Sequence, residues 1–156
     1  MTEKRIKIYY GDVGYGYESV FKDYLVNAQE VRVEDPYIRK KYQIVNFVRF
    51  CEMLVKIGEC KKLTLITGAD DEEQKRENLL AFDHIADNLF DQGIEFRFEF
   101  NNILHDREII LSNGWNIKMG RGLDYFQSIS NNYLQIGAND LDLRPCLETS
   151  FDIFRS

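Results

Sequence analysis

KLTLITGADDEEQKRENLLAFDHIADNLFDQGIEFRFEF, residues 62–100, changes its hydrophobic period twice. Residues 62–67 are rich in branched side chains and read as a strand. Asp70 and Asp71 lead into a helix over 72–91, whose acidic first turn suits the positive end of the helix dipole. Leu79, Phe82, Ala86 and Leu89 recur at helical spacing and predict its buried stripe. Gly93 ends it, and 94–100 alternates cleanly as a second strand. Strand, helix, strand predicts a layer of helix against sheet.

The same pattern extends towards the N-terminus. Ile44, Phe47, Val48, Cys51, Leu54 and Val55 give an amphipathic helix over 40–57, stopped at Gly58. Val31 and Val33 alternate with Arg32 and Glu34 in a strand over 29–34, and Pro36 halts regular pairing there. Residues 17–27 predict a short helix and 4–10 a further strand. The intervening GDVGYGY reads as a loop and lacks the G-x-G-x-x-G spacing of a dinucleotide site. Towards the C-terminus, strands over 106–112 and 115–119 flank Asn113-Gly114, a strong hairpin signal. Segments 131–138 and 148–154 are each candidates for a strand. The reading is α/β: one mixed sheet flanked by helices on both faces, in a single domain over 1–156.

The 156 residues are 44% hydrophobic and 29% charged, ordinary for a globular chain of 18.4 kDa. No apolar run is long enough for a transmembrane segment, and the N-terminus lacks a signal-peptide pattern. Cys51, Cys60 and Cys146 lack metal spacing and fit reduced thiols in a cytoplasmic protein. No metal and no cofactor is expected. The net charge of −6 opposes general binding to nucleic acid. Yet residues 32–62 hold 8 basic against 4 acidic side chains, including the run Arg39, Lys40, Lys41. That run reads either as an anion-attracting basic face or as a solvated helix start.

Candidate chemistry gathers in 105–126. Alternation along LHDREII puts His105 and Arg107 on one side of a strand. Arginine offers a forked donor set for phosphate, and histidine can act as nucleophile or proton donor. Gly120, Arg121 and Gly122 predict a tight turn whose N–H groups are open to an anion. Lys118 adds charge. Asp35, Asn113 and Asp124 are supporting residues: the aspartates either orient His105 or Arg121, or cap adjacent turns. Trp115 is read as core or as an interfacial anchor. His84 is read as structural or surface.

VEDPYIRKKYQIVNFVRFCEMLV (33–55), HDREIILSNGWNIKMGRGLDYF (105–126) and LDLRPCLETSFDIF (141–154) resemble the C-terminal domain of the MIT-domain-containing (microtubule-interacting and trafficking) proteins. The likeness spans about 15–154 and implies a phospholipase D-like fold. The phospholipase D pattern H-x-K-x-x-x-x-D then falls on His105, Arg107 and Ser112, with its Gly-Ser stretch near Gly120 and Arg121. The aspartate that orients the histidine is thus missing, and arginine replaces lysine. One motif per chain implies a homodimer that brings two His105 side chains together across a two-fold axis. The family implies a non-catalytic binder of acidic phospholipid, with weak peripheral contact to a membrane. The short stretch before residue 33 leaves no expectation of the three-helix module or of its ESCRT contacts.

Three functions are therefore carried forward. The first is binding of a phosphodiester or phospholipid head group without cleavage, through Arg107, Lys118, Arg121 and the 39–41 run. The second is a metal-independent phosphodiesterase, a nuclease or phospholipase, with His105 as nucleophile. The third is a protein-interaction scaffold with a vestigial site.

Overall fold

The strand pattern read above is present from the first residues onward in the computed structural model, which describes residues 2–129 and 133–156. The strands are β1 (Lys4–Ile8), β2 (Glu30–Glu34), β3 (Lys62–Thr67), β4 (Glu95–Phe100), β5 (Glu108–Leu111), β6 (Trp115–Met119) and β7 (Thr149–Arg155). The helices are α1 (Tyr17–Phe21), α2 (Lys41–Ile57) and α3 (Glu72–Asp91), with short 3-10 turns at Lys22–Tyr24 and Leu141–Leu143. Segment 148–154 is thus a strand. Within 131–138, residues 133–138 are turns without a strand, and 131–132 lie outside the described residues.

Local chemistry sets the helix ends. The Gln43 side chain accepts hydrogen bonds from the N–H groups of Arg39 and Lys40 at the start of α2. Gly58 ends it in the left-handed region, φ 82°, donating to Leu54 O. Asp71 caps α3 by accepting from the Gln74 N–H at 2.8 Å.

All seven strands form one sheet, in the order β1-β7-β6-β5-β2-β3-β4. β2, β3 and β4 are parallel neighbours, and β5, β6, β7 and β1 continue antiparallel from β2. The sheet is mixed, as the Asn113-Gly114 hairpin predicts. The helices, however, cover one face rather than both. Phe47 of α2 meets Phe96, and Phe82 of α3 meets Phe98, both on the same side of β4. Phe21 of α1 packs on Phe50 and Phe151 on that side too. The physical reason is topological. Two successive crossovers that step the same way along a sheet, each right-handed, land on the same face. The opposite face carries Arg32, Lys62, Thr64, Glu95 and Arg97 around a shallow trough.

Tyr17, Phe21, Phe50, Tyr125, Phe126 and Phe151 form a ring-on-ring cluster at the centre of the core. Trp115 is core, buried edge-on against Tyr24. In α3 the buried residues are Asn78, Phe82, Ile85 and Leu89, so the stripe is rotated from the expected one and Leu79 is exposed. The three cysteines are free and buried, and burial pushes Cys60 and Cys146 each up to about 11. No helix among the described residues is long and apolar enough to cross a membrane.

Candidate functional site: a cationic cavity at one end of the sheet

β2 and β6 end on either side of the start of β5, at one end of the sheet, and the chain beyond these strand ends builds a cavity of about 680 Å³. Among the described residues, its wall brings together five cations, Lys41, Arg49, Arg107, Arg121 and Arg144, against one carboxylate, Asp124. A concentration of this kind in a chain of net charge −6 is not a sampling of its composition.

The partners of these arginines matter more than their number. Arg49 donates to Asn46 Oδ1 at 2.9 Å, and Arg121 Nε to the Glu148 carbonyl at 3.0 Å. Arg144, itself buried, donates to the carbonyls of Gly137 at 2.8 Å and Ala138 at 2.6 Å. Neutral oxygens orient all three, and no carboxylate among the described residues forms an ion pair with them. Several arginines elsewhere meet carboxylates instead: Arg5 with Asp152, Arg32 with Glu34, Arg39 with Asp70. Burial, and then the nearby Arg49, depress the Arg144 guanidinium from its ordinary value. An anion would relieve both.

Arg107 is held differently. Its guanidinium lies over the Tyr37 ring, 4.4 Å from the centroid, and its Nε is 3.6 Å from Asp35 Oδ1. Asp35 is buried, and its Oδ1 also accepts from the Tyr37 N–H at 2.9 Å. Gly122, at φ 62°, brings its Cα against that carboxylate, where a Cβ would collide with Asp35 Oδ2. Asp124 accepts from Asn46 Nδ2 at 2.8 Å, and burial raises its carboxyl above the ordinary range. The Asn46 side chain thus positions both Asp124 and Arg49.

Burial outweighs the Tyr37 N–H and Arg107 and pushes Asp35 up to about 6, from an ordinary 3.8. The folded chain therefore holds this proton to higher pH than the unfolded chain does. The associated stability is whole below about pH 4 and is lost as pH rises through about 6, a difference of about 3 kcal/mol. Asp35→Asn should remove this component. In urea unfolding, the variant should gain about 3 kcal/mol relative to the parent between about pH 4 and about pH 8. An unchanged difference across that range would contradict the assignment.

The structure sorts the expected site residues. Arg107, Arg121 and Asp124 converge on the cavity with Lys41, and Asp35 lies beneath Arg107. His105 does not join them. It sits in the exposed loop between β4 and β5, outside the cavity wall, and makes no hydrogen bond or ion pair with any described residue. The strand starts at Glu108, so the alternation placing His105 beside Arg107 has no strand beneath it. Asn101 and Asn102 hold this loop as a turn, accepting from the N–H groups of Ile103 and Ala69. Ser112, at the aspartate place, lies past the other end of β5, where its Oγ accepts from Glu30 N–H.

Lys118 projects from the uncovered face of β6, in register with Glu108 and Asp152. The Gly120 N–H is used in the sheet, donating to Ser150 O, and is not open to an anion. Asn113 belongs to the far hairpin turn, where it donates to the carbonyls of Tyr24 and Val26. The basic run divides: Arg39 is paired with Asp70 at 2.7 Å, Lys40 precedes α2 in solvent, and only Lys41 reaches the cavity. His84 lies on α3, near Asn88, in the groove between α2 and α3. Arg49, Arg144, Tyr37 and Asn46 were not singled out from sequence. Their signals were polar residues inside otherwise apolar stretches, Asn46 and Arg49 in NFVRF and Arg144 in LRPC.

A mixed sheet with its cation cluster at a strand-end cavity defines a phospholipase D-like domain without the histidine at the cations. The family described as "Phospholipase D-like domain at C-terminus of MIT" matches residues 14–155, and the chain belongs to it. MIT domain-containing protein 1 of Mus musculus is 43% identical over 156 residues, covering 98% of this chain and 62% of that protein. The chain therefore spans just under two thirds of that relative's length.

Proposed function

We propose that this domain binds a phosphate-bearing anion, the head group of an acidic phospholipid, in the Arg107–Arg121 cavity without cleaving it. The observation that carries this reading is the set of arginines held by neutral oxygens around one opening. Charge-assisted hydrogen bonds to phosphate are stronger than neutral ones, and arginine matches phosphate geometry.

The surroundings of the cavity favour a lipid source. Ile103, Leu134 and Ile136 are each about four-fifths exposed, at 81%, 83% and 79%, on loops at the cavity's end of the sheet. Tyr42 and Tyr133, both exposed, stand on its wall. Apolar and aromatic side chains around a basic opening suit the membrane–water interface. Each basic residue near an anionic surface contributes about 1 kcal/mol, so the attachment is peripheral and salt-sensitive.

The absence of turnover is supported by the position of His105. A nucleophile must reach the reacting phosphorus and needs a base or an orienting partner. His105 lines no part of the cavity and has no partner among the described residues. The homodimer implied by the resemblance remains part of the proposal, but not through a cleft shared by two His105 rings.

Co-sedimentation with vesicles tests the reading. The chain should pellet with vesicles rich in phosphatidylserine or phosphoinositide at low salt, be released at high salt and ignore phosphatidylcholine. His105→Ala should leave that binding within about twofold, because no cavity contact is lost. No pelleting at low salt would refute the membrane source. A tenfold loss in His105→Ala would return the histidine to the site.

A further inference from the structure

Of the four arginines on the cavity wall, Arg107 alone forms an ion pair with a carboxylate among the described residues. That carboxylate is Asp35, which lies beneath it and is 1% exposed. The pair is loose. Arg107 Nε is 3.6 Å from Asp35 Oδ1, beyond hydrogen-bond reach. An anion that enters at Arg107 therefore meets a competitor already built into the protein.

The backbone fixes the position of that competitor. The Asp35 N–H donates to the Ile66 carbonyl at 3.0 Å and carries the β2–β3 ladder one residue past Glu34. Asp35 Oδ1 accepts from the Tyr37 N–H at 2.9 Å, the one hydrogen bond to this side chain among the described residues. Gly122 closes the other side with its Cα, where a Cβ would meet Oδ2. One N–H donor supports a buried carboxylate poorly, since those held in the charged form accept two or three.

The other charged and titratable groups around Asp35 do not supply that support. Arg39, in the same loop, is paired with Asp70 at 2.7 Å. Asp124, in the segment after β6, places a second negative charge nearby. Tyr17 of α1 is buried, donates its O–H to the Leu123 carbonyl and stays neutral. Lys41 and Arg49 of α2 line the cavity. Asp35 accordingly takes up its proton at about pH 6.

Protonated, Asp35 is neutral and leaves the whole guanidinium charge to a ligand. Ionised, it repels the ligand and shares the cation. The sign follows from linkage. Binding is strongest below about pH 6 and weakens as pH rises through that value, and a bound anion in turn makes Asp35 hold its proton to higher pH.

We propose that Asp35 couples anion binding in the Arg107–Arg121 cavity to a proton: the domain takes up a proton at Asp35 as it takes up a phosphate-bearing head group, and releases the head group as the solution turns alkaline. This rests on the cavity reading given above and adds its regulation. Asp124 is not the proton site, because amide donors from Asn46 and Gln43 favour its charged form.

Co-sedimentation with vesicles of phosphatidylglycerol in phosphatidylcholine tests it. That phosphodiester lacks the second ionisation near pH 6 of a phosphomonoester, so the ligand charge stays constant. At fixed salt the parent should bind about fivefold more weakly at about pH 7.5 than at about pH 5.5. Asp35→Asn, a permanently neutral copy of the protonated carboxyl, should match the parent at the lower pH and bind about fivefold more tightly than it at the higher. Titration of surface groups acts on both proteins alike, so their difference isolates Asp35. Asp124→Asn and His105→Ala should each keep the parent's pH dependence. Proton uptake by the parent, read from the heat of binding in two buffers of different ionisation enthalpy, should be a fraction of a proton per head group, and needs no variant to fold. Equal pelleting of the parent at both pH values, an Asp35→Asn that keeps the dependence, its loss in Asp124→Asn or His105→Ala, or zero proton uptake would each overturn the proposal and leave the cavity reading standing. A parent that pellets at neither pH would overturn both.

Discussion

Replacing Arg107 and Arg121 together by alanine should lower the affinity for anionic vesicles at least a hundredfold. Each removes a cation from the cavity wall. A hydrogen bond to a charged group contributes about 1.5–3 kcal/mol, and two such losses correspond to at least two orders of magnitude in affinity. The two residues are not equivalent structurally. Among the described residues, Arg121 gives up only the bond from its Nε to the Glu148 carbonyl. Arg107 leaves the buried Asp35 without its nearest cation. Arg121→Ala is therefore the cleaner single variant, with binding lost and the thermal midpoint nearly kept. Lys118→Ala serves as the matched control, because its side chain leaves the uncovered face of the sheet. It should bind within about twofold of the parent. Equal losses from Lys118→Ala and Arg121→Ala would mean that overall charge, not the cavity, drives attachment.

Gly122→Ala should be the most damaging small substitution near the site. Its backbone sits at φ 62°, where a Cβ costs roughly 1–2 kcal/mol. The added carbon also collides with the Asp35 carboxylate and presses on Arg107 Cδ. Displacing a buried, hydrogen-bonded carboxyl adds about 1–3 kcal/mol. Together these should lower the thermal midpoint by about 10 °C in a chain of this size. Gly11→Ala isolates the backbone part, since Gly11 is also left-handed, at φ 89°, but has open space around it. It should lose only about a third as much. Equal losses at the two glycines would show that the contact with Asp35 carries no energy.

The long amphipathic helices were legible in sequence because their apolar spacing repeats over many turns. α2 and α3 fall within a residue of the expected bounds. Alternation was legible where strands carry a polar and an apolar face, as in β2 and β4, and β3 was legible from its branched side chains. It misled at His105, because a two-residue period in a sequence does not say where the ladder stops. The first paired residue of β5 is Glu108, two positions past Asp106, where the sequence pattern began. The single-sided arrangement of helices was missed because polarity on the outer face was read strand by strand. The outward positions Arg32, Lys62, Glu95 and Arg97 together describe a face open to water.

Three of the cavity's five cations were legible, Lys41, Arg107 and Arg121. Arg107 and Arg121 stand in a dense, glycine-punctuated stretch that draws the eye. Arg49 lies inside a helix and Arg144 beside Pro145, and only tertiary structure brings them near residues so distant in the chain. Charge compensation was wholly invisible from sequence. Arg39, the first of the basic run, looks as available as Lys41. Its guanidinium is nevertheless spent on Asp70 and the Pro36 carbonyl. Arg49, Arg121 and Arg144 differ from it in what orients them, neutral oxygens in place of a carboxylate, not in residue type.

The most direct test of the central claim is to watch the arginine side chains themselves. Arginine Nε–Hε resonances of the labelled protein can be followed by NMR during titration with inorganic phosphate and then with a soluble phosphoinositide head group. The signals of Arg49, Arg107, Arg121 and Arg144 should shift together along one saturating curve, while those of Arg39, Arg97 and Arg155 stay in place. Shifts spread evenly over all the arginines, or confined to those outside the cavity, would contradict the account.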